Sequence, residues 1–265
     1  PEVVSKHLEI IEKISDVCDG IRCDMAMLPT ENIFFKTHGK KALPYWKPLI
    51  SEIKSRRNNF IFIAEVYWNM EYELQTQGFD FTYDKELYDR MKKHPTEINS
   101  HLNAEISFQN KSLRFIENHD EERAMEAFGE NSGNFFAIMT FLPGMILYHD
   151  GQAESLNLKL PVQLGRRAKE NHNAGIQKFY DRALDAIRKR KEINIQFEKY
   201  ALTSYCDCDA TKVIAISLIK AANEVGKFEL LIFNPFHSKF KGKLTFSGTI
   251  LSCLGSYPRE EISFQ

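Results

Sequence analysis

Phe60-Ile61-Phe62-Ile63-Ala64-Glu65 is a short unbroken apolar run that stops on a carboxylate, and two other stretches of the chain likewise end on a carboxylate where a buried strand should stop. They are Asp19-Gly20-Ile21-Arg22-Cys23-Asp24 and Phe115-Ile116-Glu117-Asn118-His119-Asp120. A run apolar on both faces is the pattern of a buried parallel strand, and an acid at its end is how such a strand delivers a reactive group to a barrel rim. Asp24 and Glu65 stand 41 residues apart, enough for one strand, helix and long loop; Glu65 and Asp120 stand 55 apart, leaving room for an extra unit. Gly78-Phe79-Asp80-Phe81-Thr82 is the expected strand of that unit. The spacing thus predicts three acids on the first, second and fourth visible strands, facing one mouth.

The strands alternate with helical patterns. Val3, Val4, Leu8, Ile11, Ile14 and Val17 form one apolar stripe, and a second helix is expected from Pro44 to Arg57 with Leu49, Ile50 and Ile53 inward. Asn131 to Leu142 and Ala174 to Arg190 read as two later helices, the second amphipathic. Past Lys191 come short strand-like runs at 213–218, 228–233, 243–246 and 261–264, separated by Gly, Asn, Pro and charged residues, which predict a small antiparallel β domain.

These residues bring a family into view. The trio resembles the α-amylase family, glycoside hydrolase family 13, whose nucleophile strand reads G-x-R-x-D (here Gly20, Arg22, Asp24), whose acid strand ends in Glu (Glu65), and whose third motif reads N-H-D (Asn118, His119, Asp120). Gly144 to Gln152 also resembles the family's eighth strand and following loop. The resemblance implies the C-terminal part, strands four to eight, of a (β/α)8 TIM barrel over residues 1–192, then an antiparallel β domain over 193–265. A whole barrel takes about 250 residues, so the expectation is that strands one to three belong upstream of Pro1 and that this chain by itself is inactive and poorly soluble. The missing half of the barrel would be its partner.

The resemblance also assigns roles. Retaining glycosidases pair an attacking carboxylate with a proton-donating one about 5 to 5.5 Å away; Asp24 would be the nucleophile, Glu65 the acid and base, and Asp120 the stabiliser of the distorted sugar. Arg22 shares strand parity with Asp24 and is expected to hold it ionised. Glu65, between Ile63, Ala64 and Trp68, is expected in a setting apolar enough to keep it protonated. Asn118 and His119 would bind the sugar, with Tyr67 and Trp68 as an aromatic face for stacking. Where many members carry a basic residue and His after the nucleophile strand, this chain has Met27 and Leu28, so hydrolysis and transfer both remain readings. The implied substrate is an α-glucan or maltooligosaccharide. A non-catalytic glycan-binding protein is the competing class.

Composition narrows the field. Acids and bases balance at 36 and 35, for a net charge of −1, so no large field points to nucleic acid or an anionic membrane. Five cysteines do not read as a disulfide framework and favour a reduced, cytoplasmic setting, with Cys18 and Cys23 as small core fillers. Cys206-Asp207-Cys208-Asp209 lacks the second pair or His of a zinc site and reads as a turn. No metal or cofactor is expected in this chain; calcium belongs, by the resemblance, to residues outside it. Tyr148 and His149 read equally as substrate contacts or as packing, and the basic run Arg188 to Lys191 as a solvated helix end.

Overall fold

The structure, a computed structural model, describes residues 2–167, 169–189, 195–205, 207, 209–220, 228–235, 239–245, 250–251, 256–257 and 261–264. By packing, the chain gathers into two compact units, Pro1–Glu86 with Glu105–Arg114, and Leu87–Ala104 with Phe115–Gln265.

In the first unit two of the three runs become parallel strands, β1 (Gly20–Cys23) and β2 (Ile61–Ala64), followed by β3 (Phe81–Tyr83) and β4 (Ser112–Arg114), hydrogen-bonded in that order; the third expected run, Phe115 to Asp120, begins just past β4 and is not a strand. Parallel neighbours need crossover connections, and helices Glu31–His38 and Trp46–Arg56 supply one while Glu71–Thr76 supplies the next. The helix expected from Pro44 begins at Trp46 and buries Trp46, Leu49, Ile50 and Ile53 as one face. Trp46 packs edge-on to Phe79 at 4.9 Å between ring centroids, and Phe62 meets Phe79 at 6.4 Å. Each such buried side chain contributes about 1.5–3 kcal/mol.

Three expectations shift here. The opening helix is Glu2–Ile14 and only Ile11 of its stripe is buried; Val17 falls in the turn after it, 85% exposed. The third strand begins at Phe81 rather than Gly78. Gly78 has φ 111°, a turn conformation, and the Asp80 carboxylate accepts the Phe62 amide (2.8 Å) while pairing with Lys54. Helix Glu31–His38 was not anticipated, its pattern being weakly amphipathic with no buried residue.

In the second unit, helices Ser132–Phe141 and Ala174–Lys189 pack together, with Phe136 on Tyr180 at 4.6 Å. Gly133 permits this approach, since a Cβ there would lie 2.9 Å from the Phe179 ring. The stretch resembling an eighth strand is a strand only at β5 (Met145–Ile146); Leu147 to His149 leave it. The β-rich tail is antiparallel, as expected. Strands β6 (Ile195–Lys199), β8 (Ile214–Lys220) and β9 (Phe228–Phe233) form one sheet, ordered β6-β8-β9. Strands β7 (Leu202–Ser204), β10 (Gly242–Thr245) and β13 (Glu261–Phe264) form another, ordered β13-β10-β7, and β11 (Ile250–Leu251) pairs with β12 (Ser256–Tyr257). Lys199 anchors β6 through the Asn99 carbonyl (2.9 Å) and the Asn103 side chain (2.6 Å), and burial lowers its pKa. Phe246, Cys206, Cys208, Arg190 and Lys191 lie outside the described residues. Cys18 is exposed rather than a core filler, because it follows the helix end instead of facing the sheet.

Candidate active site

Asp24 and Glu65 each follow the last residue of a strand, and β1 and β2 run parallel with Cys23 paired to Ala64. Paired strand ends place the two acids side by side on one rim. Backbone bonds continue past the strands: the Glu65 amide donates to Cys23 O (3.0 Å) and the Ala26 amide to Glu65 O (2.9 Å). Gly20 explains the first motif's glycine, since a Cβ there would stand 2.5 Å from the Ile61 carbonyl. Only glycine lets β1 approach β2 this closely.

One guanidinium joins the acids. Arg22 Nη1 pairs with Asp24 Oδ1, and Nη2 lies 2.8 Å from Glu65 Oε1. Arg22 also stands over the Tyr83 ring, 5.7 Å from its centroid. Burial works to lower the arginine's pKa, but hydrogen bonds to Tyr83 and Asp24 and the charge of Glu65 outweigh it, so the net direction is up. The cation is permanent.

Glu65 differs from expectation. In place of an apolar wall, its oxygens meet three donors: the Met25 amide (2.7 Å), the Tyr67 hydroxyl (3.1 Å) and Arg22. The cause is local, because Met25 adopts φ 43° and so turns its amide back toward β2. A non-glycine residue held left-handed stores strain that surrounding structure must sustain. The side chain of Glu65 is 4% exposed and that of Asp24 76%, so the two acids share an arginine but not an environment. Trp68 is 60% exposed, lifted outward by left-handed backbone at Trp68 and Asn69. Beneath them the Cys23 thiol is pushed up to about 12 by burial, with Arg22 pulling the other way, so it stays protonated and is no nucleophile.

The third motif lies in the second unit. Asn118 folds an Asx turn, its Oδ1 accepting the amides of Asp120 (2.8 Å) and Glu121 (2.9 Å). His119 Nε2 lies 2.9 Å from Asp120 Oδ2, and both side chains are nearly half exposed. Lys159 donates to the Asp120 carbonyl. The structure thus brings Arg22, Asp24, Glu65 and Tyr67 into one cluster and Asn118, His119 and Asp120 into another, in different units.

Sequence reasoning passed over Tyr83, Glu117 and Arg123, and left His149 between substrate contact and packing. Glu117 is buried and accepts the Ala124 amide (2.6 Å), with His149 Nδ1 at 2.8 Å and Arg123 Nη2 at 3.1 Å. Its signal was available: a charged residue inside an apolar run must have partners. Asn118, His119, Arg123 and His149 border a cavity of about 220 Å³ whose other side is built from 156–167, including Leu158 and Val162. Among the described residues no three His, Cys, Asp or Glu side chains gather to hold a metal ion, and no helix is long and apolar enough to cross a membrane.

This architecture, a parallel strand-and-helix layer with acids at the strand ends followed by antiparallel sheets, is the fold of α-amylase-type enzymes. The noncanonic maltogenic alpha-amylase AmyB of Thermotoga neapolitana superposes with a TM-score of 0.65 at 21% identity, over 94% of this chain and 57% of its own. The native debranching enzyme of Nostoc punctiforme gives 0.66 at 17%, over 92% and 53%, and the alpha-amylase of H. orenii 0.64 at 16%, over 94% and 58%. This chain therefore spans a little over half the length of the structures it resembles, and at such identities the likeness shows the fold alone. No family model and no curated protein matches the chain.

Proposed function

We propose that the chain carries the catalytic carboxylates of a retaining glycosidase acting on α-glucosidic bonds of starch, glycogen or maltooligosaccharides. The observation that supports it most is the single Arg22 fork reaching both Asp24 and Glu65 at paired strand ends. A guanidinium shared by two carboxylates keeps them near one another, a neighbourhood that includes the about 5 to 5.5 Å of a retaining pair.

Asp24, exposed and held by Arg22, attacks the anomeric carbon. Glu65 gives a proton to the leaving oxygen and then takes one from water, while Arg22 balances the negative charge that passes between them. Asp120, with His119, engages the hydroxyls of the distorted ring, and exposed Trp68 stacks on a neighbouring sugar. Residues 1–192 are the part of the (β/α)8 barrel bearing strands four to eight, and 193–265 the β domain that follows it in sequence. The neighbours' names support an α-glucan as substrate: amylases, a debranching enzyme, and a hydrolase of cyclic maltosyl-maltose.

Proton NMR of the first product from maltotriose, made by the complete native protein, tests the reading. Retention releases the α-anomer, and a β-anomer contradicts it. Leu28, 46% exposed where many α-amylases place a polar side chain, favours transfer as the second reading. Products longer than maltotriose would select it.

A further inference from the structure

The cavity of the second unit holds an imidazole that the roles above leave unused. His149 borders it, with its side chain 27% exposed, while its Nδ1 points away toward Glu117 Oε1, 2.8 Å off. Arg123 Nη1 lies 2.9 Å from the same Nδ1. One nitrogen cannot donate to the carboxylate and accept from the guanidinium together. A bare Nδ1 would aim its lone pair at a carboxylate oxygen that is 1% exposed, a repulsion in low dielectric. Arg123, by contrast, meets Glu117 and the Asp150 carbonyl (2.9 Å) through Nη2 and the Leu156 carbonyl (3.3 Å) through Nε, so giving up Nδ1 as an acceptor costs it one Nη1 hydrogen bond and no charge pair. The hydrogen therefore sits on Nδ1, and Nε2 is left as an acceptor on the cavity side.

The surroundings hold that arrangement rigidly. Glu117 is fixed from the other side by the Ala124 amide (2.6 Å), and Gly151 makes room for Arg123, since a Cβ there would stand 2.8 Å from Nη2. Polar groups on one side (Asn118, His119, His149) facing aliphatic side chains on the other (Leu158, Val162) suit a ligand with hydroxyls on one face and C–H on the other.

We propose that His149 is a further substrate-contacting residue, its Nε2 accepting a hydroxyl hydrogen from a sugar ring seated against Asn118 and His119, with Glu117 as the positioning residue that fixes its tautomer. This deepens the glycosidase reading and rests on it. Carboxylate partners orient metal-bound histidines by the same means; here the beneficiary is a sugar hydroxyl.

The test is nitrogen-15 NMR of histidine-labelled complete protein, with and without maltotriose, alongside binding by calorimetry. The account expects His149 to carry its hydrogen on Nδ1 and its Nε2 resonance to move when maltotriose binds. His149→Ala should weaken binding about tenfold and Glu117→Gln about threefold, the range of one hydrogen bond, with circular dichroism unchanged. His149→Gln, which returns an acceptor oxygen near the Nε2 position, should recover part of the loss; a merely structural histidine would not be rescued so. An Nε2-protonated His149, or maltotriose binding that leaves both its resonances and the His149→Ala affinity unchanged, overturns the proposal while the glycosidase reading stands. Failure of the unaltered protein to bind maltotriose sinks both.

Discussion

Two arginine-held carboxylate clusters, one in each unit, use the same chemistry to different ends. Around Arg22 the partners are Asp24, mostly exposed, and Glu65, nearly buried. Around Arg123 the carboxylate is Glu117, with both side chains almost wholly enclosed. An enclosed pair gives up hydration on both members, and Glu117 itself is left out of the cavity that Arg123 borders. Its influence passes through what it holds, here His149. The Arg22 cluster keeps one carboxylate open, so a substrate can reach it. The open carboxylate, Asp24, is what sets the Arg22 cluster apart from the enclosed Arg123–Glu117 pair; Glu65 and Glu117 are both nearly buried.

The sharpest break of that contrast is at the open cluster. Asp24→Asn and Glu65→Gln should each lower kcat on maltotriose about a thousandfold, with the far-ultraviolet spectrum intact. Retained activity in either would move the chemistry elsewhere. A third arginine provides a purely structural control: Arg114, at the end of β4, lies 3.2 Å from Asp84 through Nε, with side chains 1% and 2% exposed. Arg114→Met leaves a buried charge and should cost about 3–5 kcal/mol in urea unfolding, whereas Arg114→Met with Asp84→Leu should recover most of it. An additive double variant would deny that the pair is coupled.

Gly20 sharpens the comparison at the backbone. Gly20→Ala forces β1 from β2 and should destabilise by about 1–3 kcal/mol, and it should reduce activity more than stability alone predicts, by shifting Asp24 relative to Glu65. The smallest effect is at Cys23. Its thiol is raised from 9.0 to about 12, so the neutral form is favoured by folding: that contribution is complete below pH 9 and is lost as pH rises toward 12. Iodoacetamide at pH 8, followed by peptide mapping, should mark exposed Cys18 and spare Cys23 until the protein unfolds.

Two of the three runs, at β1 and β2, were legible because a parallel strand in a barrel layer writes itself as a mostly hydrophobic stretch, and the acid after it stands out; the third run was misplaced, since β4 stops at Arg114 before Phe115. Leu49, Ile50 and Ile53 were legible for the matching helical reason. What escaped was set by contacts distant in sequence. Nothing local to Met25 announces that its left-handed amide will meet Glu65, 40 residues on. Glu117 and His149 are 32 residues apart, and either alone reads as ordinary. The Gly78 strand started late because Asp80 gave its carboxylate to the Phe62 amide, a capping choice that β periodicity cannot express.

The central claim is that Asp24 is the nucleophile beside Glu65. Incubating the complete protein with a 5-fluoro-α-glucosyl fluoride, which slows release of a covalent intermediate, and mapping the adduct by peptide mass spectrometry addresses it directly. The account predicts one glycosyl group on the peptide bearing Asp24, absent in Asp24→Asn. A processed substrate with no adduct, or an adduct on another carboxylate, would contradict it.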